Sequence, residues 1–252
     1  MKFLPTFATA VVLSLAGPAA AQDPAAFNRY YANPTPDRLV GFLDRFQHGK
    51  DWGAFPPVAG FFAVIFRRQP EWIDRLIPAT PNAQTSETMV AAFWLAGRSD
   101  VPGTVKPRLS SAGSDPMLKS QFANQPQALE AINIATPTHL DILWGASFAS
   151  GDGRYTRMVA DYFARTADRS EAIAADVCLL TTGIFRRDQN VVAEVAERYP
   201  DPATRRDLLF AATAAWGLRS NAGQHPFIGN AMNKWIADHP NSHAAKCLAT
   251  LR

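Results

Sequence analysis

Two histidines, His239 and His243, have the four-residue spacing that puts two zinc ligands on one face of a helix. Pro240 lies between them, and no glutamate follows His239 to act as a general base. We expect Pro240 to begin a new helix, which would separate the two rings. His225 would bring the number of histidine ligands to three, but no motif connects it to the pair. The sequence therefore predicts no metal site and no other cofactor.

Nucleophilic catalysis has no supporting motif either. The sequence contains neither a Gly-x-Ser-x-Gly elbow nor a Ser-x-x-Lys pair. Ser147 lies within a predicted helix, where we expect its hydroxyl to donate to a carbonyl one turn back. Gly49-Lys50 lacks the upstream glycine of a phosphate-binding loop. We therefore assign no catalytic and no cofactor-binding residue.

Two carboxylates in apolar helical stretches are the remaining route to an enzyme. A buried carboxylate with a shifted pKa can act as a general acid or base. Asp141 falls in the first turn after Thr136-Pro137, where it would complement the helix dipole. Asp176 can pair with an arginine of a neighbouring helix. We interpret both carboxylates as structural.

Six tryptophans could line a sugar or peptide groove. Most of them lie at helical spacing beside Leu, Ile or Phe, which predicts core positions. Trp52, between Asp51 and Gly53 in a predicted turn, is the one we expect to be exposed. The full set is Trp52, Trp72, Trp94, Trp144, Trp216 and Trp235.

The elements that must position these residues are helices. Four pairs place an N-capping side chain before a proline at the first helical position. Three glycines follow apolar-periodic stretches, where a left-handed C-cap is expected. The apolar period is near 3.6, and alternating strand patterns are not evident. The pairs are Thr35-Pro36, Asp115-Pro116, Thr136-Pro137 and Asp201-Pro202, and the glycines are Gly49, Gly97 and Gly151.

These signals predict an all-α chain of short helices that pack as antiparallel neighbours. The predicted helices are 36–48, 55–68, 70–77, 85–97, 137–150, 154–167, 169–186, 190–199, 203–219, 227–238 and 241–250.

A repeat at an offset of about 119 residues predicts an internal duplication. Ile-Phe-Arg-Arg at 65–68 recurs at 184–187, and Arg-Leu-Val at 38–40 aligns with Arg-Met-Val at 157–159. A Trp-containing helix end near 94–99 aligns with another near 216–220. Because one helical hairpin cannot cover its own apolar face, a second copy is expected to complete the core.

The repeat divides the chain into a first helical unit, 22–100, and a second, 137–252. Between them, 101–136 carries four prolines and a Ser-Ser-Ala-Gly-Ser run. This composition is typical of an irregular connector, with short helical turns near 116–123 and 126–133. A segment of this length can also act as a functional lid.

The first residues have the order of a secretory signal peptide. Lys2 gives a basic start, 3–16 is largely apolar, 17–18 is a Gly-Pro breaker and 19–21 are small residues. We predict cleavage after position 21 and a periplasmic or secreted protein. The alternative, a membrane anchor, is disfavoured because the apolar run is shorter than the ~20 residues of a bilayer span. The longest later apolar run, 58–66, is shorter still, so no transmembrane segment is expected after cleavage.

The charge balance argues against a nucleic-acid partner. The chain has 25 Lys and Arg against 22 Asp and Glu, and its basic residues are scattered rather than gathered in a stripe. Cys178 and Cys247 are the only cysteines. We favour a buried free thiol for Cys178, with one bridge between the two as the alternative in an oxidising compartment.

Two segments carry a family resemblance. Gly60–Arg67, closed by Pro70, and Leu140–Asp152 resemble uncharacterised exported bacterial helical proteins that are loosely described as tetratricopeptide-like. The resemblance implies tandem helical hairpins arranged like an α-solenoid, and it implies no activity or functional residue. The 34-residue period and the Trp…Leu-Gly…Tyr signature of true tetratricopeptide repeats are absent.

Stacked hairpins without catalytic motifs favour a protein-interaction scaffold whose partner is another envelope or periplasmic protein. Two alternatives stay open. An enzyme with its site under 100–135, using His139 or Asp141, predicts a deep pocket of convergent polar groups there. A periplasmic small-ligand carrier predicts an apolar cavity between the two units.

Overall fold

The computed structural model describes residues 27–49 and 55–251. Within these ranges the chain is helical and contains no strand, so the predicted all-α class is confirmed. No helix of the described ranges is both long and apolar enough to cross a membrane. The predicted signal peptide and Trp52 lie outside the described residues.

Thirteen α-helices and three 3-10 turns follow one another along the described chain. The 3-10 turns are Tyr30–Ala32, Pro70–Trp72 and Leu129–Ala131. The α-helices are α1 (Pro36–His48), α2 (Phe55–Arg68), α3 (Ile73–Leu76), α4 (Ala83–Leu95), α5 (Lys106–Ser111), α6 (Asp115–Phe122), α7 (Pro137–Ser150), α8 (Arg154–Ala167), α9 (Glu171–Arg186), α10 (Gln189–Arg198), α11 (Pro202–Ala222), α12 (Pro226–Asp238) and α13 (His243–Thr250).

The helix boundaries agree with the predicted ranges to within three residues. The predicted helix at 70–77 is divided into a 3-10 turn and the four-residue α3. α5 was not predicted, because Pro107 and the serines around it hide a single helical turn.

Capping follows the predicted chemistry at some helix ends and departs from it at others. The Asp201 carboxylate accepts the Thr204 N–H at 2.8 Å, as an N-cap should. Thr35 and Thr136 occupy N-cap positions but make no side-chain cap bond. Ser114 rather than Asp115 is the N-cap of α6.

The glycine C-caps were predicted correctly at two of three positions. Gly97 has φ +79° and Gly151 has φ +62°, the left-handed conformation that ends a helix. Gly49 is extended instead, with φ −73° and ψ 160°. That prediction was wrong because an extended residue also satisfies the end of α1: the Gly49 N–H donates to the Arg45 carbonyl oxygen at 2.9 Å.

The centre of the fold is the crossing of α2 and α7, where two backbones touch. A Cβ atom added to Gly60 would lie 2.0 Å from the Ile142 carbonyl oxygen. A Cβ atom added to Gly145 would lie 1.7 Å from the Pro57 carbonyl oxygen. Each helix thus has one glycine at the crossing, and the missing side chain lets the backbone of the other helix come into contact there.

α2 is buried on all sides, as its apolar sequence predicted. Every residue from Val58 to Phe66 is buried. α4 also packs against α2, and Phe66 stacks on Phe93 with ring centroids 4.4 Å apart. The first part of the chain therefore closes around one central helix.

The later helices pack around α11, which contacts both α8 and α9. Polar contacts fix the last two helices onto α8. The Trp235 Nε1–H of α12 donates to Asp161 at 2.7 Å. The Asp168 carboxylate, just beyond α8, accepts the Ala244 N–H at 2.8 Å and the Ser242 hydroxyl at 2.9 Å.

Segment 101–136 packs against the core. Leu109, Leu118 and Leu129 are buried, and the buried Ser86 of α4 donates to the Leu109 carbonyl oxygen at 2.9 Å. Glu130 accepts two hydrogen bonds from Arg67, at 2.7 and 2.9 Å. Four further apolar residues of this segment are buried as well, so the segment contributes to the core: Val101, Val105, Ile132 and Ile134.

We predict that Gly60→Ala and Gly145→Ala each lower the free energy of unfolding by about 3 kcal/mol, because the added methyl group would meet backbone that cannot move aside. Chemical denaturation measures the loss. Gly103→Ala is the matched control, because no atom lies within 4 Å of its Cβ position. Equal stability of all three variants would show that the two backbones are not in contact.

Candidate functional site

The histidine pair does not form a zinc site. His239 follows the end of α12, and its Nδ1 lies 2.8 Å from the Trp235 carbonyl oxygen. His243 is the first residue of α13, whose N-cap is Ser242. Pro240 therefore precedes that helix instead of beginning it, which corrects the predicted start. Among the described residues, no group of three or more His, Cys, Asp or Glu is placed to hold a metal.

Ser147 does not bond a carbonyl one turn back, so that prediction was wrong. Its hydroxyl is buried and has no hydrogen-bond partner among the described residues. The Ser147 carbonyl oxygen is satisfied instead by the Gly151 N–H at 2.9 Å. We have no physical account of the orphaned hydroxyl.

Asp176 pairs with an arginine of a neighbouring helix, as predicted. It is 7 % exposed, and Arg198 of α10 donates to it and forms an ion pair with it. The Tyr199 hydroxyl donates to its second oxygen at 2.7 Å. Both carboxylate oxygens are satisfied, which is a structural role.

Asp141 lies in the second turn of α7, which corrects its predicted place in the first. Burial raises its pKa to about 6. His139, the other candidate for an enzyme site under 100–135, accepts the Ala135 N–H at 3.0 Å through Nδ1. His139 is thereby engaged at the start of α7.

Of the tryptophans within the described ranges, two are buried and three are half-buried. The buried pair is Trp144 and Trp235, and the half-buried set is Trp72, Trp94 and Trp216. The predicted core position therefore holds fully for Trp144 and Trp235 alone among these five tryptophans.

A buried histidine joins the amino-terminal segment to the later helices. His225 Nδ1 lies 3.2 Å from the Tyr31 hydroxyl oxygen, and the ring packs against Phe148 at a centroid distance of 4.9 Å. Burial, together with the positive charge of Arg29, lowers the pKa of His225. The neutral ring thus serves as a polar junction within an aromatic cluster.

An open groove lies on the surface between α9, α11, α12 and α13. It encloses about 510 Å³, and we call it the apolar groove. Its lining is mainly apolar, and arginine is the only titratable residue type among the lining residues described. The lining consists of Phe185, Arg219, Ser220, Ala222, Gly223, Gly229, Met232, Asn233, Leu248 and Leu251.

A disulfide bond holds two walls of the apolar groove together. Cys178 of α9 is bonded to Cys247 of α13, with Cα atoms 5.9 Å apart. This corrects the favoured free thiol: helix packing brings the two positions side by side, which their separation of 69 residues does not reveal. Phe185 lies two turns beyond Cys178, and Leu251 lies one turn beyond Cys247, so the bond fixes both lining residues.

One aromatic ring at the apolar groove is open to solvent. Phe185 is 50 % exposed, and the Arg219 guanidinium lies 4.1 Å from its ring centroid. This stacking is a cation–π contact, which places a positive charge over an apolar surface. Phe, Met and Arg, which all line this groove, are residue types that are enriched in protein interfaces relative to the rest of the surface.

No known family model matches the sequence, and no curated protein or solved structure matches it either. The resemblance to exported tetratricopeptide-like proteins therefore stays a prediction.

The apolar groove was not foreseen from the sequence, although one signal pointed toward it. The Ile-Phe-Arg-Arg motif occurs twice, and its two phenylalanines have different fates. Phe66 is 0 % exposed, whereas Phe185 is half exposed. Local sequence cannot tell these copies apart, because the difference comes from a distant helix: Phe93 of α4 stacks on Phe66, whereas Phe185 stays half exposed.

We predict that the Cys178→Ser/Cys247→Ser variant loses about 2–4 kcal/mol of unfolding free energy, because the bond closes a long loop in the unfolded chain. Thermal and denaturant unfolding measure the loss. Dithiothreitol should lower the stability of the wild type by a similar amount and leave the variant unchanged. A wild type indifferent to the reductant would contradict the bond.

We predict that Asp141→Asn stabilises the protein by about 1–3 kcal/mol at pH 7.5 and has little effect near pH 3. The folded-state pKa, about 6, is above the ordinary 3.8, so the folded protein binds the proton more tightly. Stability should therefore rise as the pH falls through 6 and should level off only below the ordinary value of 3.8. Denaturant unfolding across this range measures it, with the exposed Asp100→Asn as control. A wild type and an Asp141→Asn variant with parallel profiles would rule out the shift.

Proposed function

We propose that this protein is an exported, internally duplicated helical scaffold and that the apolar groove binds another envelope or periplasmic protein. The observation that carries the proposal is the half-exposed Phe185 at the groove. A large aromatic side chain left in water costs free energy that a partner can recover by covering it.

The two copies of the Ile-Phe-Arg-Arg motif support this assignment. In the first copy, Phe66 stacks on Phe93, and Arg67 donates to both Glu130 and the Tyr155 hydroxyl. In the second copy, Phe185 contacts Arg219 at the surface. The side chains of the first copy thus make contacts within the protein, while Phe185 of the second copy is available for an external contact.

The order of the helices supports the proposed duplication. α1, α2 and α4 begin at 36, 55 and 83, and α8, α9 and α11 begin at 154, 171 and 202. The last two helices of each set pack against each other, α2 on α4 and α9 on α11. This arrangement is what two tandem, α-solenoid-like hairpin units with an offset near 119 would produce.

The disulfide bond supports the proposed compartment. Structural disulfides persist in oxidising surroundings such as the bacterial periplasm or the exterior of the cell. A bond between Cys178 and Cys247 therefore agrees with export directed by a cleaved signal at 1–21.

The small-ligand carrier receives less support than the scaffold. That alternative predicts an apolar cavity between the two units, but the apolar groove lies within the second set of helices and opens to the surface. At the crossing of α2 and α7, the backbones meet without room for a single methyl group. We therefore favour a protein partner.

A cross-linking pull-down from cell-envelope extract tests the proposal, with residues 22–252 as bait. We predict that the wild type recovers one dominant protein and that Phe185→Ala reduces the recovery at least tenfold. Leu209→Ala is the matched control, because Leu209 is another exposed apolar residue, on α11 outside the groove lining.

The point variants are preferable to deleting 101–136, since removal of three buried leucines would damage the fold. Equal recovery with wild type and Phe185→Ala would reject the groove as the docking surface. Recovery of no protein by the wild type would reject the scaffold.

A further inference from the structure

We propose that the partner segment bound by the apolar groove is acidic and amphipathic, with at least one large apolar side chain flanked by carboxylates. This inference rests on the proposed function and adds the chemistry of the partner to it.

The floor of the groove determines the apolar part of that segment. Met232, Leu248 and Leu251 are at most 6 % exposed, and they form a surface already closed beneath by the core. Phe185 stands at the edge of this surface. A volume of about 510 Å³ accommodates a small number of apolar side chains. The groove therefore suits an anchor residue and its neighbours on one helical turn.

The charges around the groove determine the polar part. Arg219 lines the groove, and Arg186 and Arg187 follow Phe185 directly in the sequence. None of the three has a carboxylate within 4.0 Å in the described part of the chain. Arg219 thus brings a guanidinium group without an ion-pair partner to the groove, and the two exposed arginines after Phe185 add positive charge to the same end of α9. Guanidinium groups attract carboxylates, which they can bind in bidentate geometry.

The first motif copy shows what a carboxylate does at such a place. There the Glu130 carboxylate accepts from Arg67 and also from the Tyr155 hydroxyl, at 2.9 Å. Glu130 belongs to the 3-10 turn Leu129–Ala131, whose Leu129 is buried in the core. At the first motif copy, an apolar residue followed by a glutamate, Leu129-Glu130, thus already provides the carboxylate that Arg67 binds. We infer that the partner presents the same combination to the second.

A helix-in-groove contact explains why a polypeptide fits best. Amphipathic helices bind apolar grooves through side chains spaced three or four residues apart, and the charges at the groove edge then select among them. A nucleic acid would need a longer basic stripe than these three residues provide. An anionic membrane lipid is the other source of negative charge. It would show no preference for a peptide sequence, and the experiment below uses this difference to separate a lipid from a peptide.

The test is selection from a displayed library of random twelve-residue peptides on the immobilised wild-type chain. We predict enrichment of peptides that combine Leu, Ile or Phe with Asp or Glu at helical spacing. Synthetic copies should bind the wild type at least tenfold more tightly than Phe185→Ala, and this ratio should persist at high salt. Leu209→Ala should bind like the wild type.

A charge-removed variant tests the carboxylates separately. We use Arg186→Gln, Arg187→Asn and Arg219→Gln together, with asparagine at 187 because that residue has φ +57° and asparagine tolerates this conformation. Acidic peptides should lose at least tenfold in affinity on this variant, and their binding to the wild type should weaken as salt rises. Circular dichroism confirms that the variant is folded.

Three results would overturn the inference, and they differ in whether the proposed function of the groove is rejected with it. Enrichment of basic or uncharged peptides that still require Phe185 would reject the acidic partner and keep the groove. Absence of any Phe185-dependent peptide would reject the proposed function as well. Binding to vesicles of anionic phosphatidylglycerol, lost on the charge-removed variant and without any peptide selectivity, would assign the surface to a membrane.

Discussion

The contact between the backbones of α2 and α7 is the constraint on which the rest of the structure depends. Helices pack at 8–10 Å when side chains separate them, and glycine is needed when they come closer. Gly60 and Gly145 meet this need from opposite sides, each facing a carbonyl of the other helix. This contact fixes the distance between α2 and α7. α4 then packs on α2, and the later helices continue the chain from the end of α7.

The apolar groove lies away from this crossing, between helices of the later part of the chain. Its walls come from helices near the end of the described chain, and the bond between Cys178 and Cys247 secures two of them. The Asp168 carboxylate secures the start of α13 as well, through the Ala244 N–H. The protein thus combines a tightly packed centre with a surface site that is positioned by a covalent bond and a polar anchor.

The sequence allowed the helices and their ends to be predicted, because local chemistry determines them. Asp201 before Pro202 specifies the start of α11 through a hydrogen bond within the same turn. The burial of α2 followed from its apolar residues on every face. Features that depend on distant partners were not predictable. The pairing of Cys178 with Cys247 needs α9 and α13 to be neighbours, and no local pattern reveals that. The candidate site was missed for the same reason, since Phe66 and Phe185 share one motif and only Phe66 is covered by a distant helix, α4.

The position of the disulfide bond also sets an order of events while the chain is made. Synthesis from the amino end delivers Cys178 first, and Cys247 follows 69 residues later. α10, α11 and α12 lie between them, so all three must arrive before oxidation can join the pair. The α2–α7 crossing can form well before that moment, because both of its helices precede Cys178. The apolar groove is therefore completed last, after the packed centre of the protein.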